Sequence, residues 1–241
     1  RDQMADYHRE HYRAGNITVA VAGNTDWNEI LRLAKEWCGK WQAGSSPRTT
    51  DEARAKGGAA VTAKEAFTQE HVMQMAPAPS ATSPLRMAAE LMSVVVGDDS
   101  GSRLYWDLVD TGLAESADLS YNEYDGTGAY LTYVCSTPES ARDNLKRVRE
   151  IYDDVNSRGV TEEELEQARN KAASRIVLRS ERPMGRLSSL GSNWVYRNEY
   201  RSVQSDLDAY RAITTDDVNA VLKRYPLGQL STAAVGPLKA L

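Results

Sequence analysis

MADYHREHYRAGNITVAVAG, residues 4–23, returns in outline near the other end of the chain as DVNAVLKRYPLGQLSTAAVG, residues 217–236. Tyr12, Gly15 and Gly23 of the first copy keep the spacing of Tyr225, Gly228 and Gly236 in the second. Each copy reads as an amphipathic helix closing at an aromatic, a Gly turn, and a short apolar strand that ends in Gly. Self-similarity of this kind marks related units, and the first copy opens almost at the end of its own unit. Residues 1–42 are therefore expected to be the C-terminal tail of a truncated first domain, with the native N-terminus lying upstream of Arg1.

Asp26 and Glu29 form a capping-box signature ahead of Trp27, Ile30, Leu31, Ala34, Trp37, Cys38 and Trp41, which make one apolar helical stripe. The character then changes. Residues 43–62 hold Gly, Ser, Pro and mixed charge with little to bury, the composition of an interdomain linker. Residues 63–241 read as a complete second domain. Phe67–Met75 alternates as a strand, Ser83 and Pro84 open a helix that stays apolar to Val96, and Arg103–Val109 is a short helix. Ala117–Tyr124 and Gly128–Ser136 form a hairpin about Asp125-Gly126. Helices follow on the stripe Ala141, Leu145, Val148, Tyr152 and Val155, behind Thr161 with Glu164, and behind Pro183. Tyr200–Ala212 is a further helix, Thr214 with Asp217 caps the last, and Leu230–Val235 closes the chain as a strand. The fold class implied is α+β, an antiparallel sheet with helices packed on one face.

Composition narrows the function. Of 241 residues, 41% are hydrophobic and 26% charged, as in globular proteins, and the net charge is −5. No Lys/Arg cluster offers a nucleic-acid surface or a polybasic membrane contact. The longest apolar run, Leu91–Val96, is too short for a membrane span. Cys38 lies on a helix stripe and Cys135 in a strand, which reads as two separate buried thiols.

Chemistry-bearing motifs are sparse. Tyr7-His8-Arg9-Glu10-His11 approaches the inverted zinc motif His-x-x-Glu-His, but the first His position is Tyr7 and the only further histidine is His71. The repeat also sets His8 against Val221, an apolar helix position, so the structural reading of His8 and His11 is preferred. Asp98, Asp99 and Ser100 lack the alternating ligands and distal Glu of a calcium loop. No phosphate loop or Gly-x-Ser-x-Gly elbow is present. Glu162, Glu163 and Glu164 occupy a helix first turn, where carboxylates favour the macrodipole. No complete active site and no metal site is expected in this chain.

Four stretches carry a resemblance to the pitrilysin/insulinase family of zinc peptidases, which includes the mitochondrial processing peptidase. GSRLYWDLVDTGLAES (Gly101–Ser116) resembles its Gly-Ser-Arg-Leu helix and following turn, and GTGAYLTYVCSTPES (Gly126–Ser140) its strand and Thr-Pro helix start. GVTEEELEQARNKAASRIVL (Gly159–Leu178) is similar to its Gly-Val-Thr-x-x-Glu-Leu helix. AITTDDVNAVLKRY with AVGPL resembles its closing helix and strand, and YHREHYRAGNITVAVAGNTD the end of its first domain.

The resemblance implies two homologous α+β domains joined by a linker and closing like a clamshell on a peptide or protein substrate. It implies that zinc belongs to the missing N-terminal domain and that no cofactor is held here. Many active members send an Arg and a Tyr from the second domain toward the zinc. Here Val109 and Glu115 fall at those positions, and the intervening segment is one residue shorter. Glu115, and Tyr121 as the nearest substitute hydroxyl, are the substrate-contact candidates.

The resemblance thus makes this chain the C-terminal portion of a zinc endopeptidase; the alternative is a catalytically inactive partner subunit of the same fold. Its partners would be the missing domain or a homologous subunit. The apolar Trp27, Ile30 and Trp37 of the 1–42 tail are expected to pack against another copy, as a homo-oligomer, or against the second domain.

Overall fold

The computed structural model describes residues 1–46, 50–52, 56–228 and 230–241, and the chain forms two compact units. One comprises residues 1–50 and 176–203, the other residues 51–175 and 204–241.

The larger unit is built on a five-stranded sheet. Its strands are β1 (Ala59–Ala63), β2 (Glu70–Ala78), β3 (Ser116–Glu123), β4 (Gly128–Ser136) and β5 (Ser231–Gly236), in the order β1-β5-β2-β4-β3. All neighbours are antiparallel except β1 and β5, which pair in parallel from Ala59↔Thr232 to Ala63↔Gly236. β1 is not foreshadowed in the sequence and occupies the end of the stretch read as a linker. Its short run of small residues shows only one half-buried position, Val61.

Strand alternation gives the sheet one covered face. On β2, Glu70, Val72, Gln74, Ala76 and Ala78 are buried while Met73 and Met75 are exposed. Ala117, Leu119, Tyr130, Thr132, Val134 and Ala234 share the covered face by register. Among the helices, α3 (Arg86–Gly97) packs on β3 and is buried from Met87 through Gly97 except at Glu90. The paired Gly97 backbone lies so close to Leu119 that an added Cβ would collide with its main chain. α4 (Ala141–Arg158) covers β4 with Val148, Tyr152 and Val155, and α8 (Thr215–Arg224) packs on α3 with Val218, Val221 and Leu222. Each such large apolar side chain contributes about 1.5–3 kcal/mol by leaving water.

Helix starts follow the sequence closely. Thr161 and Glu164 exchange side-chain and backbone bonds at 2.8 and 3.2 Å ahead of α5 (Glu162–Ser180). Thr214 and Asp217 do the same for α8, so each cap satisfies N–H groups that a helix leaves unpaired. Ser83-Pro84 does not start α3, which opens at Arg86; the Ser83 hydroxyl instead accepts from Leu85 N at 3.2 Å in the preceding turn. The short helix after Gly101 is a π-helical turn, Tyr105–Val109. α7 spans Val203–Arg211.

In the smaller unit, α1 (Asp2–His11), α2 (Trp27–Cys38) and α6 (Pro183–Arg197) are the complete helices. Asp26 accepts the Glu29 N–H at 2.8 Å and caps α2. Residues 17–22 are not a strand. Ile17 has extended backbone angles, φ −122° and ψ 129°, but no strand among the described residues pairs with this segment. Extended backbone becomes a β-strand only when a neighbour supplies the ladder, and here none does.

The two copies of the repeat therefore share a backbone plan and differ in setting. α1 closes with Tyr12 N donating to His8 O at 2.9 Å, and α8 with Tyr225 N donating to Val221 O at 2.7 Å. Tyr225 is 7% exposed and its strand, β5, lies between β1 and β2; Tyr12 is 58% exposed and no residue of α1 or α2 is buried. Trp27 and Trp37 are exposed and Ile30 is half-buried.

Candidate functional site

The open face of the sheet brings together the side chains that β2, β3, β4 and β5 do not send toward the helices. Register places Asp118, Tyr133, Met73 and Ala233 in one row, and Ser120, Leu131, Met75 and Ser231 in the next. Met73 and Met75 are 45% and 49% exposed. At the Met75 end the surface sinks into a groove of about 410 Å³ lined mainly by Met75, Pro77, Tyr124, Ala129 and Leu131. Lys56 is the one charged residue in that lining. The volume is at the small end of the range for ligand pockets.

The other end of the face is polar and aromatic. His71 Nδ1 and the Tyr133 hydroxyl are hydrogen-bonded at 2.8 Å with their rings stacked, and Phe67 meets His71 edge-on at 6.0 Å. Burial pushes the Tyr133 hydroxyl up, with Cys135 and the acidic groups nearby adding to it. Burial also raises the Cys135 thiol against a lowering bond from Tyr133, so Cys135 stays a thiol rather than a reactive thiolate. Asp118 is half-buried, and burial raises its carboxyl above the ordinary value.

The two residues singled out from the sequence lie at opposite ends of β3, about 20 Å apart at strand rise, and are not brought together. Glu115 is exposed and accepts from the Gln69 side chain. Tyr121 is paired with Tyr130 and shares the covered face; its hydroxyl donates to Pro79 O at 2.7 Å. Burial first, and then the Glu123 charge, push that hydroxyl far above its usual value, so it remains a neutral donor already in use. His71, Met73, Met75, Asp118 and Lys56 were not singled out from the sequence. The alternation of β2 pointed to an exposed row, but only the register shows which rows coincide.

The Gly101–Leu104 motif is structural. Arg103 donates to Glu164 at 2.7 and 2.9 Å, to Asp154 at 2.9 Å and to Gly159 O at 3.1 Å, fastening the π-helical turn to the α4–α5 junction. Asp98 is held below its usual carboxyl value: burial would raise it, but Lys171 and Arg175 outweigh that.

A zinc site does not fit these residues. His8 stacks on Tyr12 at 4.6 Å, His11 bonds Ser46 at 2.7 Å, and His71 belongs to the sheet. Among the described residues no group of three or more His, Cys, Asp or Glu side chains is placed to hold a metal ion, and no helix is long and apolar enough to cross a membrane.

Residues 1–172 match the family model described as the peptidase M16 inactive domain. The chain is 27% identical over 242 residues to an uncharacterized zinc protease of Mycobacterium leprae, covering 98% of this chain and 54% of that protein. It is 19% identical to the uncharacterized zinc protease YmxG of Bacillus subtilis, covering 98% and 58%. Among solved structures, a peptidase M16 inactive domain from Pseudomonas fluorescens superposes with a TM-score of 0.82 at 18% identity, covering 99% of this chain and 57% of that one. A protease from Helicobacter pylori superposes with a TM-score of 0.83, covering 97% and 58%. The chain thus spans about half the length of the relatives it matches.

Proposed function

The chain belongs to the peptidase M16 inactive-domain family, and from that premise we propose that it is the non-catalytic C-terminal portion of a zinc-dependent endopeptidase, forming one wall of a peptide-enclosing chamber. Zinc and the water it activates belong to the complementary half, and no step of the hydrolysis runs through a residue described here. The role of this half is to confine an extended peptide, and its open sheet face is the surface turned to that peptide. The description of the relatives as zinc proteases supports the reading.

The observation that carries it is the unequal repeat. α8 and β5 are built into a covered sheet, while α1 and residues 17–22 have the same backbone plan with neither burial nor a paired neighbour. Residues 1–42 are then the tail of the first, zinc-bearing domain, residues 43–62 a connection, and residues 63–241 the second domain. The exposed Met4, Tyr7, Tyr12, Trp27 and Trp37 belong against that first domain or a homologous subunit. Left without it, the tail is also the surface through which copies of this chain would associate.

Zinc content and peptide turnover, measured on the 241-residue chain and on a protein extended to the length of its relatives, test the proposal. Zinc and chelator-sensitive turnover are expected only in the longer protein. Stoichiometric zinc with turnover in the short chain, or neither in the longer one, would overturn it.

A further inference from the structure

We propose that the open sheet face selects peptides with an apolar residue and a cationic residue two positions apart, the first seated in the Met75–Leu131–Tyr124 groove and the second beside Asp118. This deepens the proposed function and rests on the reading that this face meets the substrate.

Three observations converge. The groove has an apolar lining able to take a large side chain, and Met75, with its flexible thioether, adapts to several shapes. Lys56 on that lining repels a Lys or Arg placed there, so the groove excludes cations as well as favouring apolar groups. Asp118, one row away, has no hydrogen bond or ion pair among the described residues, although half its surface is withdrawn from water. A partly desolvated carboxylate without a counter-charge is complementary to an incoming cation. Adjacent rows on one face are separated by two residues, about 7 Å along a strand. Side chains on one side of an extended peptide repeat at the same interval, so a peptide lying along β2 and β4 can occupy both points at once.

The test uses the 241-residue chain labelled at methionine methyls and short extended peptides containing Arg-x-Leu or Leu-x-Arg. The Met73 and Met75 methyl signals are expected to shift with at least one of the two orders, and affinity to fall at least about tenfold when Lys replaces Leu. Asp118→Asn, of nearly the same shape, is expected to weaken the Arg peptide about two- to fivefold while leaving a Gln-x-Leu control unchanged. Amide spectra of the variant check its fold. Silent Met73 and Met75 signals with both orders, or an equal loss for the Arg and Gln peptides, would overturn the inference. Cleavage by the longer protein together with silent methyls would sink the groove and leave the peptidase reading standing. Methyl shifts with no cleavage by the longer protein would do the reverse.

Discussion

Replacing Arg103 with Ala removes four hydrogen bonds and leaves two carboxylates and a carbonyl facing one another. Arg103 is 20% exposed at its side chain, against 41% for Asp154 and 30% for Glu164. Breaking a fully buried pair costs about 3–5 kcal/mol and an exposed one about 0–1 kcal/mol. With partial solvent screening at this depth, about 2 kcal/mol is expected at pH 7. The loss depends on pH with a definite sign. Burial would raise the Glu164 carboxyl, but the Arg103 bonds, with those from Thr161, outweigh it and hold the group below its ordinary 4.5. Its contribution is therefore fully present above the unfolded value and lost as pH falls through the lower folded value. Arg103→Ala strips out the main lowering cause and leaves burial, so the deficit should be largest at neutral pH and shrink as pH falls below about 4.5. Urea unfolding of both proteins at pH 7 and near pH 3.5 measures this. Arg103→Lys keeps the charge without the fork and should recover about half of the loss. A deficit under about 0.5 kcal/mol at pH 7, or one that does not change with pH, would refute the staple assigned to the Gly-Ser-Arg-Leu motif.

Gly97→Ala should destabilise by about 1–3 kcal/mol in the same assay, although Ala favours helix by about 1 kcal/mol, because its Cβ would stand 2.8 Å from Leu119 Cα. Tyr152→Phe leaves the buried Thr132 hydroxyl without its 2.5 Å partner, a loss of about 1–3 kcal/mol, and adding Thr132→Val should recover most of it. A chelator should leave the unfolding temperature of the 241-residue chain unchanged; a fall would reveal a bound metal.

Much of the larger unit was legible because its elements declare themselves locally. Thr161 with Glu164 and Thr214 with Asp217 are caps that need no tertiary partner to be recognised, and Asp125-Gly126 sits where Gly126 takes φ 73°. Residues 17–22 misled because β-structure is a property of neighbours: the same apolar pattern is β5 when flanked by β1 and β2 and an unpaired extended segment when flanked by nothing. β1 was missed for the converse reason, since its small residues gain strand geometry from the parallel ladder to β5 rather than from burial.

The site was less legible because it depends on parity. Tyr121 lies two residues from Leu119, and both share the covered face opposite Tyr130 and Thr132. That parity turns the hydroxyl away from the open surface. Asp118 has the opposite parity. Its row with Tyr133 and Met73 joins three strands from distant parts of the chain, a coincidence set by register alone.

Amide hydrogen exchange at residues 17–22 tests the central claim most directly, measured in the 241-residue chain and in the protein extended to its relatives' length. The account expects rapid exchange in the short chain and, in the longer protein, protection approaching that of β5 as the segment gains its ladder. Equal exchange in the two proteins would contradict the assignment of residues 1–42 to an incomplete homologous domain, and with it the reading of this chain as one wall of a larger enclosure.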